Sequence, residues 1–225
     1  MTTLACSRLN APAPFELWHV GLHEPAAPWQ IESLSVAEHA RAARFVFERD
    51  RRRYLAAHCA LRQLLSIRTG VPAALLVFDE GPFGKPSLAT PPHCAFNMSH
   101  SEEVALVAMA DTGEIGVDVE MLRPMPDAMA LARQNFSAAE NAELAATAPA
   151  DQSLAFLLGW TRKEACLKAI GSGLSIAPNI FTAGLGMGPC SVQIDTPAAT
   201  ACVWVQSFRH GADVVGSLAR IESPR

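Results

Sequence analysis

The longest uninterrupted apolar stretch of this 225-residue chain has only seven residues, from Val104 to Ala110. A membrane-spanning helix needs about 18 such residues or more, so the sequence predicts no membrane partner. A short run of this kind is typical of a β-strand buried on both faces. Half of the residues are hydrophobic and 18% are charged. Intrinsic disorder is therefore excluded, because the chain can bury enough apolar surface to offset its ordering entropy.

The charge balance argues against a nucleic-acid partner. Eighteen Lys and Arg residues stand against 22 Asp and Glu residues, which gives a net charge of −4, whereas nucleic-acid-binding proteins normally carry a basic excess. The first 14 residues lack the basic and apolar regions of a secretory signal, and the six cysteines form no CxxC pair. Both features predict a cytoplasmic protein with reduced thiols.

Strand and helix patterns occur twice along the chain. In the first half they predict strands at 15–22, 75–78, 96–99 and 104–110, a helix from the Ser35–Glu38 capping box to about Arg49, and a helix that ends at Gly70. In the second half they predict a strand at 115–121, helices at about 126–135, 138–146 and 151–170, and three final strands. We therefore predict an α+β fold of two similar-sized α/β lobes, residues 1–112 and 113–225, with no residue-level repeat.

Two carboxylates share one face of the predicted strand at 115–121. Strand residues alternate between faces, so Asp118 and Glu120 lie on the same side, about 7 Å apart. Carboxylate ligands of this kind suit Mg²⁺ or Mn²⁺. A half-buried edge strand with a solvated acidic face is the alternative.

One face of the long helix at 151–170 carries Trp160, Glu164 and Lys168, which are spaced at i, i+4 and i+8. If this face lies against the acidic strand, Glu164 becomes a third carboxylate ligand and Lys168 a cation for phosphate. Otherwise Glu164 and Lys168 form a surface ion pair of little energetic value.

Polar and basic groups also collect in the first half. Phe96–Ser101 contains an amide, hydroxyls and an imidazole that suit phosphate oxygens, although a polar loop would have the same composition. Ser99 and His100 make a poor nucleophile–base pair, because adjacent strand residues point to opposite faces. Six arginines form either a solvated face or a site for a phosphate or an acidic partner: Arg41, Arg44, Arg49, Arg51, Arg52 and Arg53.

Five motifs in order resemble the signature series of Sfp-type 4′-phosphopantetheinyl transferases. They are GKP at 84–86, FNMSHS at 96–101, GVDVE at 116–120, FSAAE at 136–140 and WTRKEACLKAIGSG at 160–173. The resemblance covers residues 35 to about 175 and includes all three lysines of the chain. It implies a pseudo-dimeric transferase fold with its active site at the lobe interface. The implied reaction moves 4′-phosphopantetheine from coenzyme A to a serine of an acyl or peptidyl carrier protein and releases adenosine 3′,5′-bisphosphate.

The same resemblance implies a role for each matching residue. Mg²⁺, or Mn²⁺, would be held by Asp118, Glu120 and Glu164. Contacts to coenzyme A or its pyrophosphate fall on Lys85, Ser99, His100 and Lys168, with His100 toward the 3′-phosphate. Basic positions near that phosphate fall on Arg41 and Arg53. Glu38 departs from the pattern, since some relatives carry a cation there. Glu164, a water, or Glu140 would be the general base, although the Ser137–Glu140 pattern also predicts a capping box.

The implied partner is an acidic, helical carrier protein, which the arginine-rich face would attract. Apolar residues between Met121 and Leu131 are candidates for its docking groove, and a two-lobed chain is expected to act as a monomer. Two rival interpretations are a Mg²⁺-dependent phosphohydrolase and a non-catalytic module that binds coenzyme A or a carrier. The identity of the carrier is not encoded in these motifs.

Overall fold

The computed structural model describes residues 5–89 and 91–222, which form two compact units. The first unit takes the described residues up to Asp79 together with Pro86–Thr112. The second takes Glu80–Lys85 and the described residues from Gly113 onward. The six residues 80–85, which the sequence assigns to the N-terminal lobe, thus belong to the second unit, so the boundary falls within the short strand Phe78–Glu80.

The first unit is a four-stranded antiparallel sheet packed on one long helix. Its elements are β1 (Cys6–Leu9), β2 (Glu16–Gly21), α1 (Pro28–Ile31), α2 (Val36–Ala42), α3 (Glu48–Thr69), β3 (Phe78–Glu80), β4 (Pro86–Leu88), β5 (Ala95–Ser101) and β6 (Val104–Ala110). The sheet has the order β1-β2-β6-β5, and β3 pairs separately with β4. Apolar side chains of α3 pack against those of β2, β5 and β6 to form the core.

Two helix ends of the first unit lie where the sequence places them. The capping box is confirmed, since Ser35 Oγ accepts from the Glu38 amide at 3.2 Å, and Gly70 ends α3 with a φ of 75°.

The structure differs from the sequence prediction at three elements of the first unit. The prediction of a single helix from Ser35 to about Arg49 is wrong, because α2 ends at Ala42 and Phe47 is extended before α3 begins. The predicted strand at 75–78 is also wrong, since 73–75 forms a 3₁₀ turn and β3 starts at Phe78. Strand β1 was not predicted.

The second unit also packs a long helix on a four-stranded antiparallel sheet. Its elements are β7 (Ile115–Met121), α4 (Ala128–Asn135), α5 (Ala138–Ala146), α6 (Gln152–Ile170), β8 (Cys190–Asp195), β9 (Thr200–His210) and β10 (Val214–Ile221). The sheet order is β7-β10-β9-β8. The predicted strand, helices and three final strands are confirmed. None of the helices in the described ranges has the length and hydropathy that a bilayer span requires.

Both units contain the same core plan. A strand leads through a long helix to an antiparallel hairpin, and the second hairpin strand pairs back with the first strand. In the first unit these are β2, α3, β5 and β6; in the second they are β7, α6, β9 and β10. The predicted α+β class is therefore confirmed, and the repeated plan agrees with the pseudo-dimeric organisation that the resemblance implies.

Candidate active site

The acidic face of β7 lies beneath α6. At Gly116, the first residue of this face, an added Cβ would overlap the carbonyl oxygen of Ala165 and come within 2.5 Å of the amide nitrogen of Ala169. Asp118 follows on the same face and is only 5% exposed. A solvated acidic face is therefore the wrong interpretation for Asp118, whose carboxylate is covered by the helix.

Lys168 joins the helix to this face. Its ammonium nitrogen lies 2.6 Å from Oδ1 of Asp118, and both side chains are largely buried. Lys168 can reach β7 because Gly116 lets the two backbones approach closely. The structure thus brings together a helix lysine and a strand carboxylate that the sequence spacing alone left ambiguous.

Glu164 lies one helical turn before Lys168 and interacts electrostatically with the other two carboxylates. Burial raises the pKa of the Glu164 carboxyl above its usual value, and the negative charge of Asp118 raises it further. Lys168 opposes this effect, while Glu120 adds to it. The three predicted metal ligands therefore form one electrostatically coupled group.

Glu120 forms an ion pair with Arg123. Nη1 of Arg123 donates to Oε2 of Glu120 at 3.2 Å and to the Met121 carbonyl at 3.1 Å. Sequence reasoning did not single out Arg123. Glu120 lies on a strand, where a spacing of three residues does not bring side chains together as it does on a helix, so no sequence signal identifies this pair.

The three carboxylates are the oxygen-donor type that Mg²⁺ and Mn²⁺ take. As the side chains stand, no group of three or more carboxylates, imidazoles or thiols within residues 5–89 and 91–222 is arranged to hold a metal ion. Two of the carboxylates are paired instead with Lys168 and Arg123. The donor set therefore fits such an ion by its chemistry, whereas in the present arrangement two of its three carboxylates pair with cations of the chain.

Lys85 lies at the carboxyl end of α6. Its Nζ donates to the Ala169 carbonyl at 2.8 Å and pairs with Glu114 at 2.6 Å. Its aliphatic stem borders Gly171, which ends the helix with a φ of 73°. A cation is favourable beside the unpaired carbonyls of a helix end. Its predicted contact with coenzyme A stays a prediction.

The first unit holds a pocket of about 570 Å³, which we call the basic pocket after its two arginines and two histidines, although Asp50 and Glu102 also line it. Its lining residues are Arg41, Phe45, Asp50, Arg53, Tyr54, His58, Met98, His100 and Glu102. Three predicted coenzyme A contacts, Arg41, Arg53 and His100, therefore meet here. The side chain of Ser99 lies on the opposite face of β5 from the pocket, because Ser99 stands between Met98 and His100 on a strand whose faces alternate.

Internal contacts hold the basic pocket in shape. Arg53 donates to Glu103 at 2.9 and 3.1 Å, and the Arg41 guanidinium lies 6.0 Å from the centre of the Tyr54 ring. Burial raises the pKa of Tyr54 to about 12, so its hydroxyl stays protonated at neutral pH. Tyr54 also packs on His58, with ring centres 4.0 Å apart. The i, i+4 spacing of these two rings on α3 could have revealed them, but the sequence analysis missed both.

Glu38, the departure from the family pattern, has a structural role. Its carboxylate pairs with Arg62 at 2.7 Å and with His58 at 3.2 Å, and it caps α2 through Ser35. Burial pushes its pKa upward, but hydrogen bonds from His58, Arg62 and Ser35 outweigh burial and hold the pKa well below its usual range. The Glu38 carboxylate therefore binds groups within the first unit, namely His58, Arg62 and Ser35.

Residues 24–112 match the family model described as the N-terminal part of 4′-phosphopantetheinyl transferase, and residues 114–212 match the 4′-phosphopantetheinyl transferase superfamily. The chain is 36% identical over 182 residues to the 4′-phosphopantetheinyl transferase HetI of Nostoc sp., which covers 79% of this chain and 77% of the relative. The chain belongs to the 4′-phosphopantetheinyl transferase family.

Two further 4′-phosphopantetheinyl transferases are similar to this chain. Psf-1 of Bacillus pumilus is 33% identical over 168 residues, which are 73% of this chain and 71% of the relative. AcpT of Salmonella typhimurium is 35% identical over 144 residues, which are 63% of this chain and 72% of the relative. The predicted family is confirmed, and with it an enzyme of the transferase class; the Sfp-type subdivision stays a prediction.

Glu140 is unsuited to be the general base of this 4′-phosphopantetheinyl transferase. It is fully buried, and its carboxylate pairs with the equally buried Lys163 at 2.7 Å. Its oxygens also accept from the amides of Ser137, Ala183 and Gly184. The capping box at Ser137 is confirmed. The donors that occupy the Glu140 carboxylate argue against its alternative role as a base.

The residues suggested for carrier docking are only partly available. Arg52 donates to Glu103 and to the His23 carbonyl. Leu122, Met125, Met129 and Leu131 are half-buried against the core around Phe136 and Phe156. The docking groove at 121–131 stays a prediction, with much of its apolar surface turned toward the second unit's own core.

Proposed function

We propose that this transferase moves 4′-phosphopantetheine from coenzyme A to a serine of an apo acyl or peptidyl carrier protein, releases adenosine 3′,5′-bisphosphate and requires Mg²⁺. The observation that carries the proposal is the coupling of Asp118, Glu120 and Glu164 across β7 and α6, with Lys168 placed 2.6 Å from Asp118. Family membership supplies the transferase chemistry. A pyrophosphate substrate calls for this combination of oxygen ligands and a cation.

The proposed chemical step is a phosphoryl-type displacement. The serine Oγ attacks the phosphorus attached to pantetheine, forming a new O–P bond. The bond between this phosphorus and the bridging pyrophosphate oxygen breaks, and its electron pair leaves with adenosine 3′,5′-bisphosphate. The serine proton passes to the Glu164 carboxylate, our proposed base, or to a water. Lys168 neutralises the charge that develops on the leaving group.

Asp118, Glu120 and Glu164 are the residues that would hold Mg²⁺, which when bound polarises phosphoryl oxygens as a Lewis acid. In the structure Asp118 and Glu120 are oriented by Lys168 and Arg123. We assign Lys168 to binding at the pyrophosphate, together with Lys85 at the end of α6.

The basic pocket of the first unit is our proposed site for the 3′-phosphate. Arg41, Arg53 and His100 line it, and charge-assisted hydrogen bonds from such groups are the strong contacts to phosphate oxygens. Ser99, which lies beside His100 on β5, is assigned to the same substrate on the resemblance alone. The 3′-phosphate distinguishes coenzyme A from its dephosphorylated precursor, so this pocket would select the substrate.

The acceptor is expected to be an acidic, helical carrier protein met in the cytoplasm by a monomeric enzyme. Exposed arginines near the start of α3, such as Arg49 and Arg51, support electrostatic attraction of such a partner. A single chain carries both the carboxylate group and the basic pocket, which supports a monomer.

The test is intact-mass spectrometry of an apo carrier protein incubated with coenzyme A, Mg²⁺ and the enzyme. The proposal predicts a gain of one phosphopantetheine unit that disappears with EDTA and with Asp118→Ala. Coenzyme A turnover in the absence of a carrier would instead indicate the phosphohydrolase. A folded enzyme that binds coenzyme A but modifies no carrier of several types would indicate a binding module.

A further inference from the structure

Arg123 stands at the metal-binding carboxylates without an assigned role. Its guanidinium contacts Oε2 of Glu120 at 3.2 Å and the carbonyl of Met121 at 3.1 Å, where β7 ends. Its side chain is 43% exposed, against 19% for Glu120. The cation can therefore leave the carboxylate for solvent at little steric cost.

The charges at this site nearly cancel before any ligand binds. Asp118, Glu120 and Glu164 contribute −3 when ionised, and Lys168 and Arg123 contribute +2, so the local sum is −1. A divalent ion that uses all three carboxylates must compete with both internal cations. Lys168 is the more enclosed of the two, since its side chain is 29% exposed.

We infer that Arg123 is a built-in counter-ion that a divalent cation displaces from Glu120, so that metal binding by this enzyme is an exchange of cations. This inference rests on the proposed function, because it assumes that Asp118, Glu120 and Glu164 form the metal site. It goes beyond that function by assigning to Arg123 the setting of metal affinity. Arg123 is a positioning residue, which acts through Glu120.

The cation exchange has a direct consequence for affinity. Replacing Arg123 with a neutral residue removes the cation that competes with the metal ion for Glu120. The sum of these five side-chain charges then changes from −1 to −2. Exposed ion pairs contribute about 0.2–1 kcal/mol, so loss of the competitor should tighten metal binding about 1.4- to fivefold. The gain should shrink in high salt, because screening weakens interactions between exposed charges.

The test is a titration of the full-length enzyme with Mn²⁺ alone, followed by the electron paramagnetic resonance signal of free Mn²⁺. Arg123→Gln should bind Mn²⁺ about 1.4- to fivefold more tightly than the wild type at low ionic strength. Arg123→Lys keeps the charge and should retain wild-type affinity. Arg133→Gln removes an equal charge from an exposed residue of α4 and serves as the matched control.

Equal or weaker Mn²⁺ binding by Arg123→Gln would overturn the inference, as would an equal gain in Arg133→Gln, which would indicate a general charge effect. Absence of Mn²⁺ binding by the wild type would also overturn it. The carrier-modification assay keeps the two claims distinguishable. A wild type that modifies carriers while Arg123→Gln shows unchanged Mn²⁺ affinity defeats only the role of Arg123.

Discussion

Glu38 and Arg62 form an ion pair that is nearly closed to solvent, with side-chain exposures of 11% and 2%. Arg62 also donates to the carbonyls of Ala73 and Leu76. One acidic residue thus caps α2, orients His58 in the basic pocket and satisfies a buried guanidinium. A cation at position 38 would break these contacts.

The lowered pKa of Glu38 makes stability depend on pH. Its folded pKa lies below the unfolded value of about 4.3, so the stabilisation is present above that value and is lost as pH falls below it. Glu38→Gln should lower the free energy of unfolding by about 3 kcal/mol at pH 6 and by less at pH 3. Urea unfolding at both pH values measures this. Glu48→Gln, which removes an exposed carboxylate, is the control, and an identical pH slope in wild type and Glu38→Gln would refute the assignment.

The second buried ion pair, Lys163 with Glu140, ties α6 to α5. Lys163 also donates to the carbonyls of Pro178 and Phe181 at 2.7 and 2.5 Å, and burial lowers its pKa while Glu140 opposes that shift. Lys163→Met should cost about 3–5 kcal/mol, because it leaves a buried charge uncompensated. The double variant Lys163→Met/Glu140→Gln should cost less than the two single variants together. Additive losses in a urea-unfolding double-mutant cycle would contradict the coupling.

At the scale of elements, the approach of α6 to β7 places Glu164 and Lys168 above Asp118. Gly116 permits that approach, since an added Cβ would meet the backbone of α6 at Ala165 and Ala169. Gly116→Ala should therefore destabilise the fold by about 3 kcal/mol and lower the transfer rate. Gly186→Ala is the control, because a Cβ there meets no atom within 4 Å. Wild-type stability and rate in Gly116→Ala would show that the close contact has no role.

Much of the secondary structure could be predicted from the sequence, because the signals that define it are local. Capping boxes, glycine helix ends and strand alternation identified α2, α5, α6 and β7. The separation of α2 from α3 was missed because Phe45, Val46 and Phe47, all exposed, continue the hydrophobic pattern, whereas Phe47 has an extended backbone and begins no helix. The pairing of Glu38 with Arg62 depends on tertiary contact, and a separation of 24 residues gives no periodic signal.

At the scale of the whole molecule, each unit carries its own set of candidate site residues. Carboxylates and lysines lie in the second unit, and the pocket with Arg41 and His100 lies in the first. The shared core plan was not visible as a sequence repeat, because packing on a sheet constrains hydrophobic spacing rather than residue identity. The family motifs supplied the candidate site residues, whereas Arg123, Tyr54 and His58 emerged only from the packing.

This division predicts separable effects on the substrate. Arg41→Gln or His100→Gln should weaken coenzyme A binding about tenfold, the value of one charge-assisted hydrogen bond, and should leave the binding of 3′-dephospho-coenzyme A almost unchanged. Isothermal titration with both ligands measures this. Arg8→Gln, on the exposed side of β1, removes the same charge as a control. Equal losses for both ligands would place the 3′-phosphate elsewhere.

The most direct test of the account is the rate of carrier modification by enzymes altered one carboxylate at a time. Asp118→Asn, Glu120→Gln and Glu164→Gln should each lose about 100-fold or more, since a metal site contributes several kcal/mol to the transition state. Glu143→Gln, an exposed residue of α5, should retain the wild-type rate. A folded Asp118→Asn or Glu164→Gln enzyme that modifies the carrier as fast as Glu143→Gln would contradict the assignment of the active centre to β7 and α6.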